Sequence, residues 1–327
     1  MKKILIALLA LVLAFTMVAL PSCTTTDEDT ETTDGSGNGT GAGETNSSGG
    51  TASDDGDGND DSTESTSRYT NFDLRDTYDE DSATSIVFTD SEAAITGDGA
   101  AADGTKVTIS AEGTYIISGS CSDGQIIVEV TDTEKVQLVF NGISLMCKTS
   151  APIWVKSADK TSITLVEGTT NTMQDTASYT DVNTEGEPNA CIFSKDDLTI
   201  NGTGTLNVYA NCNNGITSKD DLKIISGNIT VTAENHGIRG NDSVTVKAGT
   251  ISISCGNDGF KASNTSKSDK GYIYIEGGTI TIDCGDDALQ AVTAIDVVGG
   301  SITVSAAGDT TNCEGTVSVA DGCITEG

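Results

Sequence analysis

The chain has 327 residues, with 17 Lys and Arg against 49 Asp and Glu, a formal net charge of −32. That length allows one large domain or two ordinary ones. Such a charge excludes nucleic acid and an anionic membrane surface as electrostatic partners, and leaves cations, neutral polymers, or anionic polymers bridged by a cation.

Met1-Lys2-Lys3 is a cationic start, residues 4–20 are an uncharged apolar run, and Leu20-Pro21-Ser22-Cys23 comes next. A positive beginning, an apolar centre and a small residue before the cut predict an export signal over 1–22. The Leu-x-Ser-Cys ending resembles the lipobox of bacterial lipoproteins, with Pro21 an uncommon filler; the alternative is an ordinary secretory signal in which Cys23 is incidental. Acylation of Cys23 would place an extracellular protein on the outer face of the cell membrane, touching the bilayer only through that lipid anchor. Eight of the nine cysteines then remain, an even number that permits disulfides without demanding them.

Residues 24–67 are dominated by Asp, Glu, Gly, Ser, Thr and Asn, with no Lys or Arg. Such a segment cannot bury enough apolar surface to offset its ordering entropy, so 23–67 is predicted to be a disordered acidic tether. A calcium-binding acidic tail is the alternative reading. Residues 68–104 form a lead-in, in which Ile86-Val87-Phe88 is a candidate strand covering the open end of the repeats C-terminal to it.

From 105 to 327, short β-type runs alternate with Gly, Asn and Asp turns, and no amphipathic helix is visible. Gly215-Ile216, Asp220-Asp221-Leu222, Gly227, Ile229-Thr230-Val231 and Ala233 recur twenty-two residues later as Gly237-Ile238, Asp242-Ser243-Val244, Gly249, Ile251-Ser252-Ile253 and Cys255. The frame returns from Gly259, interrupted by a polar insert at 263–271, and again from Ala288. Each unit holds three pieces with apolar residues two apart, so each piece points two side chains inward. Three short strands in about 22 residues, repeated on one template, predict the coils of an all-β parallel β-helix. The alternative, a β-sandwich, would show hairpins of varied spacing. No terminal cap is visible before Gly327, so the C-terminal end reads as incomplete.

Two turns recur with acidic or amide residues. One carries Asp196-Asp197, Asp220-Asp221 and Asn241-Asp242; the other carries Asn213-Asn214, Asn235-His236, Asn257-Asp258 and Asp286-Asp287. Stacking would put equivalent carboxylates about 5 Å apart, and a hard cation relieves the repulsion because calcium takes six to eight oxygen ligands. Asp196, Asp197, Asp220, Asp221, Asn241, Asp242, Asn257, Asp258, Asp286 and Asp287 are therefore candidate calcium ligands, against the plainer reading that Asp and Asn favour turns. His236, a poor calcium ligand, interrupts the second row.

Alternation places Tyr209, Tyr272 and Tyr274 outward, where a sugar ring could rest, or where tyrosine serves β-propensity alone. Trp154 is outward too, open or under a loop. Cys255 and Cys284 fall at one inward position in adjacent coils, as a disulfide or as free buried thiols.

The runs Gly-Ile-x-Ser-Lys-Asp-Asp-Leu-x-Ile, Gly-Ile-Arg-Gly-x-Asp-Ser-Val and Lys-Gly-Tyr-Ile-Tyr-Ile-Glu-Gly-Gly-Thr-Ile-Thr-Ile resemble a family of secreted clostridial-type carbohydrate-binding domains, over roughly 113–307. The resemblance implies a right-handed parallel β-helix, similar in fold to pectate lyases, with calcium at the coil corners. It also implies binding of plant cell-wall polysaccharide, either glucan or polygalacturonate. In pectate-lyase-like enzymes a Lys or Arg beside calcium abstracts a proton, which makes Lys195, Lys219 and Lys261 candidates for that role. Lys195 and Lys219 also adjoin Asp pairs that would hold them as ion-pair partners. Lys219 and Lys261 are further candidates for polysaccharide contact. Three readings are open: a calcium-stabilised, monomeric binding module without catalysis, a calcium-dependent lyase with a Lys base, and a structural surface adhesin or stalk.

Overall fold

The computed structural model describes residues 68–327, so the export signal, Cys23 and the acidic tether lie outside the described residues. The described chain is a parallel β-helix with three sheet faces, as the twenty-two-residue spacing predicts. Ile216 pairs with Ile238 and Ile238 with Phe260 on the first face. Leu222 pairs with Val244 on the second, and Ile229 with Ile251 on the third. These residues point inward and form one continuous buried core of stacked Ile, Val and Leu. A single coil has no second layer against which to bury its apolar side chains, so the stack is the folding unit.

Tight corners are needed where the chain turns onto the first face. Gly215, Gly237 and Gly259 occupy this place in successive coils. A Cβ on Gly237 would sit 2.4 Å from Ile253 Cγ2 and 2.7 Å from the Gly259 carbonyl oxygen, so only hydrogen fits.

The strand Thr84–Phe88 pairs in parallel with Gly113–Cys121 and antiparallel with Ala93–Thr96, closing the N-terminal end of the stack. The residues before it do something that local pattern does not disclose. They run as a strap over the outside of the second face, crossing successive coils in reverse order. Arg68 lies over Tyr274, with its guanidinium 3.9 Å from the ring centroid, and Lys247 lies 4.7 Å from the Tyr69 ring centroid. The single helical turn Asn71–Leu74 has a capping box between Thr70 and Asp73. Farther along, Asn201 Nδ2 donates to the Asp73 and Arg75 carbonyls, and Gln137 Nε2 donates to the Thr77 carbonyl at 3.3 Å.

Asp73 is the pin. It has no exposed surface, and it accepts from Lys160 Nζ at 3.0 Å, Lys223 Nζ at 3.1 Å and Thr199 Oγ1 at 2.7 Å. Burial would push its carboxyl up, but the two ammonium groups and the Thr199 hydroxyl hold it well below the usual carboxylate range.

On the first face, Trp154 is outward and packs with Ile127, Tyr179, Ala190, Phe193 and Cys212, a second apolar cluster. The segment after Asp175 closes over it: Tyr179 Oη donates to Asp175 Oδ2 at 2.6 Å, and the Asn211 amide donates to Asp175 Oδ1 at 2.5 Å.

Candidate functional site

The second acidic turn builds the densest cluster. Its outer row is an amide ladder, in which Asn235 Nδ2 donates to Asn213 Oδ1 at 2.8 Å and Asn257 Nδ2 to Asn235 Oδ1 at 3.1 Å. In the next coil the row continues as Asp286, and the inner row passes from His236 to Asp258 and Asp287. Carboxylate oxygens of Asp258, Asp286 and Asp287 lie within 4.8 Å of one another.

Each carboxylate has a different environment. Asp258 Oδ1 accepts from the Asp287 amide at 3.2 Å, and Asp287 accepts from the Asp309 amide and from Asn312 Nδ2, both at 2.7 Å. Asp286 is exposed; partial desolvation and the charges of Asp287 and Asp258 push its carboxyl up. Buried His236 sits with Nδ1 3.1 Å from Asp258 Oδ2 and Nε2 3.2 Å from Lys261 Nζ. Nε2 faces the Lys261 ammonium, which can only donate, while Nδ1 faces both the Asp258 carboxylate and, at 3.3 Å, the Asp258 amide. Burial depresses the His236 pKa, and Lys261 adds to this. Burial alone would raise the Asp258 carboxyl, but the His236 hydrogen bond and the Lys261 charge bring it below its ordinary value.

The first acidic turn is built differently. Backbone register sets Asp197 beside Asp221 and Asp221 beside Ser243, while the Asp242 amide donates to the Asp220 carbonyl. Asp242 therefore continues the row of Asp196 and Asp220, and Asn241 falls one place earlier, with Oδ1 accepting from Ser263 Oγ. Protein cations already meet these carboxylates. Lys160 lies 3.3 Å from Asp197, Lys270 lies 3.3 Å from Asp221 and 3.5 Å from Asp242, and Lys267 lies 3.7 Å from Asp242. Burial and the charges of Asp242, Asp197 and Asp196 push Asp220 up to about 6; burial likewise raises Asp196 and Asp197.

The insert at 263–271 delivers Lys267 and Lys270, with Asn264 Nδ2 donating to Asp242 Oδ1 at 2.5 Å. Sequence reading placed this insert as a polar loop and missed its lysines. Seven extra residues beside an acidic corner were the available signal.

The remaining candidates separate in space. Tyr209 is 41% exposed on the third face. Tyr272 and Tyr274 are outward on the second face but half-buried, because Arg68 covers them. Lys219 pairs with Glu187 at 3.6 Å and Lys195 with Glu185 at 3.4 Å, so the expected pairing with adjacent aspartates gives way to loop glutamates. Those glutamates come from the segment that covers the first face, whose approach no local spacing encodes. Cys255 pairs in register with Cys284, and both are free thiols. Burial pushes the Cys255 thiol up to about 12.

A solved structure described as the polysaccharide lyase-like protein from C. thermocellum, in a gadolinium derivative, superposes with a TM-score of 0.73 at 41% identity, covering 74% of this chain and 98% of that one. A carbohydrate-binding domain-containing protein of Acetivibrio thermocellus is 44% identical over 137 residues, 42% of this chain; the match spans about half of that relative, 48% of its length. Residues 103–325 match the family described as carbohydrate-binding domain-containing protein. By this match over most of the described coils, the chain belongs to that carbohydrate-binding domain family.

Proposed function

We propose that the protein is a non-catalytic cell-surface binding module for plant cell-wall-type polysaccharide, glucan or polygalacturonate, stabilised by calcium at its acidic corners and held to the membrane through a lipid on Cys23. The observation that carries the reading is the convergence of Asp258, Asp286 and Asp287, with oxygens within 4.8 Å, in a chain of a carbohydrate-binding family. The donor set suits calcium, which takes carboxylate and carbonyl oxygens in a flexible shell. A gadolinium derivative of the 41% identical relative fits the same chemistry, since a trivalent lanthanide prefers the same hard oxygen ligands. Calcium held there would offset the repulsion between the three carboxylates, and would let a polyanion approach a chain of net charge −32.

The lyase reading asks Lys195, Lys219 or Lys261 to act as a base. Lys261 is engaged by His236 and Asp258, and Lys195 and Lys219 by glutamates, which favours binding over proton abstraction. Incubation with polygalacturonate and calcium is expected to release no unsaturated product absorbing in the ultraviolet. Pull-down on insoluble glucan and on polygalacturonate, with and without chelator, is expected to show adsorption, with the polygalacturonate arm lost on chelation. Product formation would favour the lyase, and absence of adsorption to either polymer would favour the adhesin.

A further inference from the structure

The three faces of the coil differ in what they leave open. The second face is strapped by the segment around Asp73, and the first carries Arg239 and Lys261 and is covered near Trp154 and Phe193. Among the described residues, no segment crosses the third face. Its outward central column reads Asn207, Thr230, Ser252, Thr281, Thr303 and Thr325, each paired with the next in backbone register. The flanking columns repeat this chemistry, with Thr250 beside Thr279 on one side and Thr232 beside Ser254 on the other. From Thr205–Ala210 to Ser301–Ala306, Asp283 is the sole charged residue of these strands.

We infer that this third face is the polysaccharide-contacting surface and that it selects a neutral, extended glycan. The inference rests on the carbohydrate-binding reading and assigns its neutral-glucan arm to this face, leaving the calcium-bridged polyuronate arm at the acidic corner. Coil stacking spaces the hydroxyls about 4.8 Å apart along the axis and about 6.7 Å apart along each strand. From Asn207 to Thr325 the central column is about 24 Å long, Thr172 and Ser144 continue it in register to about 34 Å, and the three columns are about 13 Å wide. That is about 440 Å², under the roughly 800 Å² per partner that a stable protein interface buries, and the shape suits a single polymer chain. A hydroxyl or amide both donates and accepts, so a neutral sugar chain can exchange its water bonds for these without desolvating a charge. A polyuronate gains nothing here, because the face offers it no cation and the surrounding protein repels it. Tyr209 at the edge supplies an exposed ring on which one sugar can stack.

The test uses the full chain on insoluble neutral β-glucan and, separately, on polygalacturonate with calcium. Thr230→Ala/Ser252→Ala/Thr281→Ala removes three exposed hydroxyls without touching the core, and a thermal melt matching the wild type reports that the coil is intact. The expected result is at least about tenfold weaker adsorption to the neutral glucan, as three lost hydrogen bonds imply, with polygalacturonate adsorption unchanged. Unchanged glucan adsorption in the triple variant, or wild type that adsorbs polygalacturonate alone, would overturn this inference while leaving the carbohydrate-binding reading standing. Wild type that adsorbs neither polymer would overturn both.

Discussion

Substituting Asp73 by Ala should cost about 3 kcal/mol, because it strands buried charge rather than because it removes an attraction. The carboxylate is fully buried and receives four donors: Lys160, Lys223, Thr199 and the Thr70 amide. The lysine side chains are only 6% and 11% exposed, so neither ammonium regains full hydration without strap movement. Breaking one side of a buried ion pair costs about 3–5 kcal/mol. The lower end applies here, since Asp197 remains 3.3 Å from Lys160. Replacing the set by Asp73→Leu, Lys160→Met and Lys223→Met together should bring stability back to within about 1–2 kcal/mol of wild type. Because the Asp73 carboxyl is held below its unfolded value, its contribution is full above about pH 4 and is lost only as pH falls through the depressed folded value. Stacked coils need not unfold in one step, so the measurement pairs urea denaturation at pH 7 with hydrogen exchange of the Leu74 and Arg75 amides, which bond within the strap. A deficit under about 1 kcal/mol at pH 7, with those amides still protected, would refute the reasoning.

Calcium at 100 times its dissociation constant should raise wild-type stability by about 2.7 kcal/mol, and the gain should vanish in Asp258→Asn/Asp286→Asn, as read by denaturation midpoints with and without chelator. Gly237→Ala forces a Cβ to within 2.4 Å of Ile253 and should lower stability by about 1–3 kcal/mol, measured by the same midpoints. Burial pushes Asp175 up to about 6, above its unfolded value, so its contribution is full below roughly pH 4 and is lost as pH rises through about 6. A pH series from 4 to 8 should therefore show a decline on the order of 2–3 kcal/mol that flattens in Asp175→Asn, and equal slopes in the two proteins would sink the assignment.

The coil was legible in the sequence because its determinants are local. Inward Ile216, Ile229 and Ile238 repeat at strand alternation and at one period, and stacking is required once each unit is too thin to bury its own side chains. The acidic turns were legible as turns for the same reason, and so was the outward placement of Tyr209, Tyr274 and Trp154. Partners were another matter. Asp73 meets Lys160 and Lys223 across 87 and 150 residues of sequence, a contact set by where the strap crosses the coils rather than by any spacing. Register, not residue pattern, set Asp242 beside Asp220 and Ser243 beside Asp221. Loop closure then brought Lys267 and Lys270 onto one acidic row, while the other kept Asp286 exposed beside Asp258 and Asp287. Sequence alone determined that carboxylates stand in rows at the corners, since strand and turn periodicity are carried by neighbouring residues. Which carboxylates of each row are met by lysine, and which face stays open, was decided only by tertiary structure, because charges compensate through space and the chain writes no address for a partner a hundred residues away.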